Sequence, residues 1–285
     1  MPEIPFLEIL AENLAARVSG RRIESILIRQ PALLQTASPA PESFAGEFLS
    51  LPTRVGKYIV LETESRRALV IHLMRSGRIQ VQDLAQKAGL QKALSARVVL
   101  DDGTRLDLVE HGKEKKAKLW LTEDVADVPD LKRLGPDPSR GELEPEALAE
   151  ALRAERRQLK SFLTDQRVMS GIGNGLSDEI LHAAKLSPMK LSPTVTEAEV
   201  QALHAAILRV VAEQTEKLRL SAAGELPQKE PREHYAVHDH AGSPCPACGT
   251  TVARVSFADH DLFYCPGCQT GGKLLKDRRL SKLLK

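Results

Sequence analysis

Residues 245–268 read CPACGTTVARVSFADHDLFYCPGC and hold all four cysteines of a 285-residue chain. Cys245 and Cys248 form one CxxC pair and Cys265 and Cys268 a second, with sixteen residues between the pairs. A CxxC turn presents two thiolates on one side of a small loop. Two such turns joined by a hairpin supply four sulfurs in a tetrahedral array, a donor set suited to Zn2+. The intervening apolar residues alternate as a β-hairpin requires. Such a site is closed, so the expected cofactor is one structural zinc ion rather than a catalytic one. Disulfides or a redox pair are the other uses of paired cysteines, but in a reducing compartment metal binding is the commoner. Ribbons of this kind serve nucleic-acid and protein contacts alike.

Upstream, residues 163–182 read LTDQRVMSGIGNGLSDEILH, with Gly171-Ile172-Gly173 lying between two helical patterns. Glycines let two helices meet tightly, and successive backbone N–H groups at the start of the second can hold a phosphate. Asn174 adds a side-chain donor. A plain helix–turn–helix connection with a glycine C-cap is the other reading of the same residues. Helical spacing extends over 144–165, 175–185 and 196–217, and the polar stretch 221–244 reads as loop.

The first half of the chain has a different texture. Phe6, Leu7, Leu10, Leu14 and Val18 recur at helical spacing. Between 21 and 122 come short apolar or alternating runs: RRIESILIRQ, KYIVLETES, ALVIHL, ARVVLDDGTRLDLV and KLWL. The turn signal Asp101-Asp102-Gly103 interrupts the fourth, as in a hairpin. An antiparallel β-domain with one helix packed at its start is expected. Pro129, Pro136 and Pro138 mark a linker over 126–142.

The chain start carries chemistry of its own. Removal of Met1 leaves Pro2 as a secondary amine, which titrates well below a lysine and is substantially uncharged near neutrality. Such an amine can attack a sugar C1′ and form an iminium, and Glu3 beside it can act as general acid. The same two residues also suit a helix start, with Pro in the first turn and Glu at the positive end.

Net charge is only +2, so any nucleic-acid affinity must come from local clustering. No apolar run is long enough to cross a bilayer, and MPEIPFLEILAENL lacks the basic flank of a secretory signal; a cytoplasmic protein is expected.

An N-terminal Pro-Glu, a Gly-Ile-Gly-Asn turn after Asp-Gln-Arg and a ribbon ending FYCPGCQ, in that order, resemble the formamidopyrimidine-DNA glycosylase and endonuclease VIII family. Gly56-Lys57-Tyr58, His72-Leu73, Ser76-Gly77 and Leu134-Gly135-Pro136-Asp137-Pro138 extend the match over nearly the whole chain. The resemblance implies an α+β fold: an N-terminal β-sandwich with a flanking helix over 1–125, a linker over 126–142, and a helical domain with a helix–two-turn–helix over 143–240. A zinc ribbon over 241–272 and a basic tail over 273–285 complete it. The implied activity is removal of an oxidised or otherwise damaged base from DNA followed by β,δ-elimination at the abasic site, by a monomer acting on damaged duplex or single strands. A damage- or structure-specific DNA-binding protein with weak catalysis is the alternative. By this resemblance Pro2 is the nucleophile, Glu3 the general acid and Lys57 an assisting group. His72 and Asn174, with the turn of Gly171 and Gly173, contact DNA around a flipped nucleotide.

The chain also departs from the resemblance. Phe6 stands where relatives have a second glutamate, and Arg75 where they have a methionine that fills the gap left by the flipped base. Glu110-His-Gly-Lys-Glu-Lys-Lys116 replaces a stretch that supplies an arginine and an aromatic wedge. His260, flanked by Asp259 and Asp261, replaces the ribbon arginine, so a shorter and mostly neutral group meets the phosphates.

Overall fold

The computed structural model describes residues 1–82, 92–112, 114–230, 232–257 and 260–276. Its chain divides into two compact units, one of Met1–Arg133 with Leu218–Glu230, the other of Leu134–Lys217 with Pro231–Lys285.

In the first unit, Pro5 supplies the fixed backbone angle that suits a helix's first turn, and α1 runs from Ile4 to Val18. The helix begins two residues earlier than the apolar spacing implied. Ile4, Leu7, Leu10, Leu14 and Val18 are at most 1 % exposed, so the helical stripe is the buried face. Each such Leu or Ile contributes roughly 1.5–3 kcal/mol relative to exposure. Phe6 lies in this core as well, at 1 % exposure.

Eight strands follow: β1 (Ile23–Ile28), β2 (Thr53–Val55), β3 (Tyr58–Glu62), β4 (Ala68–His72), β5 (Gly77–Gln82), β6 (Leu94–Leu100), β7 (Arg105–Glu110) and β8 (Lys118–Thr122). They form two antiparallel four-stranded sheets, ordered β1-β6-β7-β5 and β2-β3-β4-β8. The Asp101-Asp102-Gly103 turn joins β6 to β7, with Gly103 at φ 84° and the Asp102 carboxylate accepting the Thr104 N–H. Alternation decides the faces. Ile59, Leu61, Leu69, Ile71, Leu119 and Leu121 of the β2-β3-β4-β8 sheet join α1 and the β1-β6-β7-β5 sheet in the core. Tyr58, His72 and Trp120 lie on the opposite face, with ring centroids 4.6 Å apart for Tyr58–His72 and 5.7 Å for Tyr58–Trp120.

In the second unit the helical pattern over 144–165 resolves into two helices, α2 (Pro145–Ala154) and α3 (Leu159–Thr164). The break at 155–158 has a local cause. The Arg157 carbonyl accepts the Ser192 N–H and the Leu159 N–H donates to the Lys190 carbonyl, so this backbone pairs with a neighbouring segment instead of closing helical turns. Helices α4 (Asn174–Ala183) and α5 (Glu197–Ala222) follow; α5 runs five residues past its expected end, and its last residues belong to the first unit. Strands β9 (Ala253–Ser256) and β10 (Asp261–Tyr264) form the ribbon hairpin, and the short α6 (Pro266–Thr270) closes it. No helix among the described residues is long and apolar enough to cross a membrane.

Candidate active site and metal centre

Glu3 is the N-cap residue of α1, yet its side chain makes no capping bond to the helix. Its carboxylate is therefore directed to other work than a helix start requires. Lys57 stands at the turn before β3, 8 % exposed. That turn is tied to α1 by Arg54, whose Nε donates to Glu8 at 2.7 Å and whose Nη1 donates to the Gly56 carbonyl at 2.9 Å. Gly56 sits at φ 54°, the left-handed conformation that lets the strand begin immediately after. One buried guanidinium thus sets Lys57 relative to the helix that starts at Glu3.

These groups share an electrostatic pocket. Burial lowers the proton affinity of the Lys57 amine, while Glu3 and Glu230 oppose the shift. The Met1 α-amine is likewise lowered by burial, raised by Glu3 and Glu230 and lowered again by Lys57 and Arg75. Pro2 is buried, while Met1 before it is exposed. The structure thus brings Pro2, Glu3, Lys57 and Arg75 of the expected set to one place. It adds Glu230, which the sequence had left in a polar loop.

His72 is adjacent. Its Nδ1 accepts the Met74 N–H at 3.1 Å, and burial, with Lys57 and Lys118, pulls its imidazole down to about 4. At neutral pH it is an uncharged ring. Arg75, next to Met74 at φ 51°, is exposed. The segment that begins at Glu110 is organised by that residue, 1 % exposed. Its Oε1 accepts the Lys116 and Ala117 N–H groups at 2.8 and 2.9 Å, and Ser76 donates to it at 3.4 Å. Glu110 is therefore the anchor of a short return loop; Lys113 lies outside the described residues.

In the second unit, the two turns between α3 and α4 are held by side chains. Asp165 accepts the Arg167 N–H and is paired with Arg167 and Arg157, both at 2.7 Å; the Arg167 guanidinium in particular holds its carboxyl well below the usual range. Gln166 accepts the Gly171 N–H at 2.9 Å and donates to the Ile172 carbonyl at 2.8 Å. The Gly171 N–H, expected to face a phosphate, is thus spent inside the turn, because Gln166 reaches it first. Gly173 is the N-cap of α4. Asn174 donates through Nδ2 to the Asp261 carbonyl at 2.8 Å, linking the start of α4 to the ribbon hairpin. Behind it Lys160 is buried, donating to the Asn174 carbonyl and to Asp178, each at 2.6 Å, and Asp178 meets His238 Nδ1 at 2.7 Å.

The four cysteine sulfurs lie within 4.8 Å of one another. Two of the separations are 3.9 Å (Cys245–Cys268) and 3.4 Å (Cys248–Cys265). Zinc–sulfur bonds of about 2.3 Å in a tetrahedron require separations of about 3.8 Å, so Cys245, Cys248, Cys265 and Cys268 fit one zinc ion. His182 Nε2 approaches the Cys245 sulfur at 3.2 Å, and Gln269 accepts the Cys265 N–H at 2.8 Å while donating to the Leu186 carbonyl at 2.9 Å. Such outer contacts orient the ligands. His260 is exposed near the hairpin tip, stacked on Phe257 with centroids 4.8 Å apart. Asp261 pairs with Arg254 at 3.8 Å, and Asp259 lies outside the described residues.

A β-sandwich with a buried, charge-lined chain start, a helix–two-turn–helix and a four-cysteine zinc finger define the class: a zinc-finger DNA glycosylase fold. The profile of the formamidopyrimidine-DNA glycosylase N-terminal domain matches residues 1–113, that of the formamidopyrimidine-DNA glycosylase H2TH domain residues 134–222, and that of the zinc finger found in FPG and IleRS residues 242–271. The formamidopyrimidine-DNA glycosylase of Desulforamulus reducens is 31% identical, the match covering 94% of this chain and 99% of that protein. That of Symbiobacterium thermophilum is 34% identical, covering 94% and 89%. The crystal structure of the MutM (FPG) protein from Thermus thermophilus superposes with a TM-score of 0.81 at 29% identity, covering 96% of this chain and 100% of that one. The chain belongs to the formamidopyrimidine-DNA glycosylase family.

Proposed function

We propose that the protein is a bifunctional DNA glycosylase and abasic-site lyase of base excision repair. Pro2 is the nucleophile, Glu3 the general acid, and Lys57 an assisting group. With Met1 removed, the Pro2 nitrogen attacks C1′ of a flipped nucleotide and the N–C1′ bond forms as the bond to the damaged base breaks; the base leaves with the bonding pair and takes up the proton that the Pro2 nitrogen gives up. Glu3 protonates the sugar oxygen as the ring opens, and the nitrogen lone pair completes an iminium. The iminium acidifies the neighbouring carbon, and elimination of the phosphates on either side cleaves the strand. His72, Asn174 and the turn at Gly173 contact phosphate, with Arg75 and His260 as further contacts. The cytoplasm is the expected compartment and a monomer the expected form. When bound, zinc holds the ribbon in shape and takes no part in bond breaking.

The observation that carries this reading is the burial of Pro2, Glu3 and Lys57 at the chain start, with Glu230 accepting the Glu3 N–H there. Desolvation favours the uncharged, nucleophilic form of an amine. DNA as partner is supported by the similar solved proteins, among them a MutM complex with DNA containing carbocyclic 8-oxo-G, at 25% identity and a TM-score of 0.82.

A second reading, a damage-binding protein with weak catalysis, draws on the burial of Pro2 and on Phe6 lying in the core. Borohydride separates the two. Purified protein is mixed with abasic-site DNA, duplex or single-stranded, and reduced. The first reading requires a covalent adduct on Pro2; no adduct with either substrate leaves the second.

A further inference from the structure

Glu230 meets the chain start from 227 residues away. Its Oε1 accepts the Glu3 N–H at 2.9 Å, and its Oε2 is fully buried with no hydrogen-bond partner among the described residues. Nor is it carried on a loose loop. Asn13 donates to the Glu225 carbonyl at 2.7 Å and Arg17 to the Gly224 carbonyl at 2.9 Å. Leu226 packs against the sandwich core, and Arg78 donates to the Gln228 carbonyl. The segment 223–230 is thus stitched to α1 and β5, and it delivers one carboxyl to the residue beside Pro2.

We infer that Glu230 is a positioning residue for the Pro2 nitrogen: by holding the Glu3 N–H it fixes the Pro2–Glu3 peptide plane and with it the direction of the attacking lone pair. The inference rests on the reading of Pro2 as nucleophile. Its physical basis is short. The Pro2 nitrogen is separated from the Glu3 nitrogen by two carbon atoms. With the peptide plane held and the pyrrolidine ring closed, one torsion, ψ of Pro2, remains to aim the nitrogen. Burial, with Glu3 next to it, pushes the Glu230 carboxyl up to about 8; a carboxyl oxygen accepts the Glu3 N–H in either protonation state, so the clamp rests on the geometry of that bond.

The test uses full-length protein with Met1 removed, verified by mass, as wild type, Glu230→Gln and Glu230→Ala. Gln keeps an acceptor oxygen at the same reach; Ala does not. Single-turnover borohydride trapping on abasic duplex is expected to slow by about tenfold or more in E230A with DNA affinity unchanged, and by no more than about threefold in E230Q. A folded E230A that traps at the wild-type rate overturns the inference, as does E230Q falling as far as E230A. Should E230A not fold, Glu230→Met, of similar length and without an acceptor oxygen, takes its place. A second readout needs no DNA: reductive methylation of the Pro2 nitrogen by formaldehyde and cyanoborohydride. A loosened chain start methylates several-fold faster in E230A and not in E230Q; equal rates in all three proteins overturn the clamp. A wild-type protein that traps no abasic DNA sinks the proposed enzyme, while the methylation rates still decide the role of Glu230.

Discussion

Replacing Lys160 by methionine probes the centre of the helical unit. Lys160 and Asp178 have side chains 4 % and 0 % exposed, joined at 2.6 Å. Methionine fills much of the volume but removes the cation, which leaves Asp178 as a buried carboxylate facing His238 alone. Breaking a buried pair from one side costs about 3–5 kcal/mol, and the lost bond to the Asn174 carbonyl falls within that range. For a unit of this size the thermal transition is expected to drop by roughly 10–20 °C. The double variant Lys160→Met/Asp178→Leu is expected to recover most of the loss, because no unpaired charge remains. What stays lost is the His238 partner, about 1–3 kcal/mol for a stranded buried donor. Calorimetry and urea unfolding of the three proteins measure this directly. A single-variant loss under about 1 kcal/mol, or a double variant no more stable than the single, refutes the assignment of the pair as an obligate buried couple.

Three further outcomes are expected. The unfolded state protonates His72 near 6.5 while the folded state resists to about 4, so stability falls as pH drops through that window, by about 2 kcal/mol at pH 5. Urea unfolding at pH 7 and 5 should show the loss in wild type and a smaller one in His72→Gln; an unchanged slope removes His72 as its source. Chelation of the metal should expose amides of β9, β10 and α6 to exchange while strands β1–β8 stay protected, since zinc binding and local folding are one equilibrium; protection retained throughout would show that the hairpin stands without metal. His260→Arg should steepen the salt dependence of DNA binding by about one counterion, and filter binding at several salt concentrations that finds no change would exclude this position from the phosphate contacts.

Local spacing and long-range packing contributed differently to this protein. The zinc site was legible from 245–268 alone because a CxxC turn fixes two sulfurs within four residues, and a sixteen-residue spacer makes a hairpin the short route between turns. Helix α1 and the β6–β7 hairpin were legible for the same kind of reason, a periodicity and a glycine turn that act over a few residues. The break between α2 and α3 was not, since its cause is backbone pairing with residues 190–192. Nor was the internal use of the Gly171 N–H, which depends on where the Gln166 side chain lands once two turns have closed.

The sequence by itself determined the metal ligands, the β-then-α order and the Pro2-Glu3 pair at the chain start. Only the tertiary structure decided what surrounds that pair: Lys57 set by Arg54, and Glu230 brought from beyond α5. Ligand spacing and helix periodicity are properties of neighbouring residues and are written in order along the chain. Desolvation and charge at a buried point depend on every group that folding collects there, and no local pattern records which distant carboxyl will arrive.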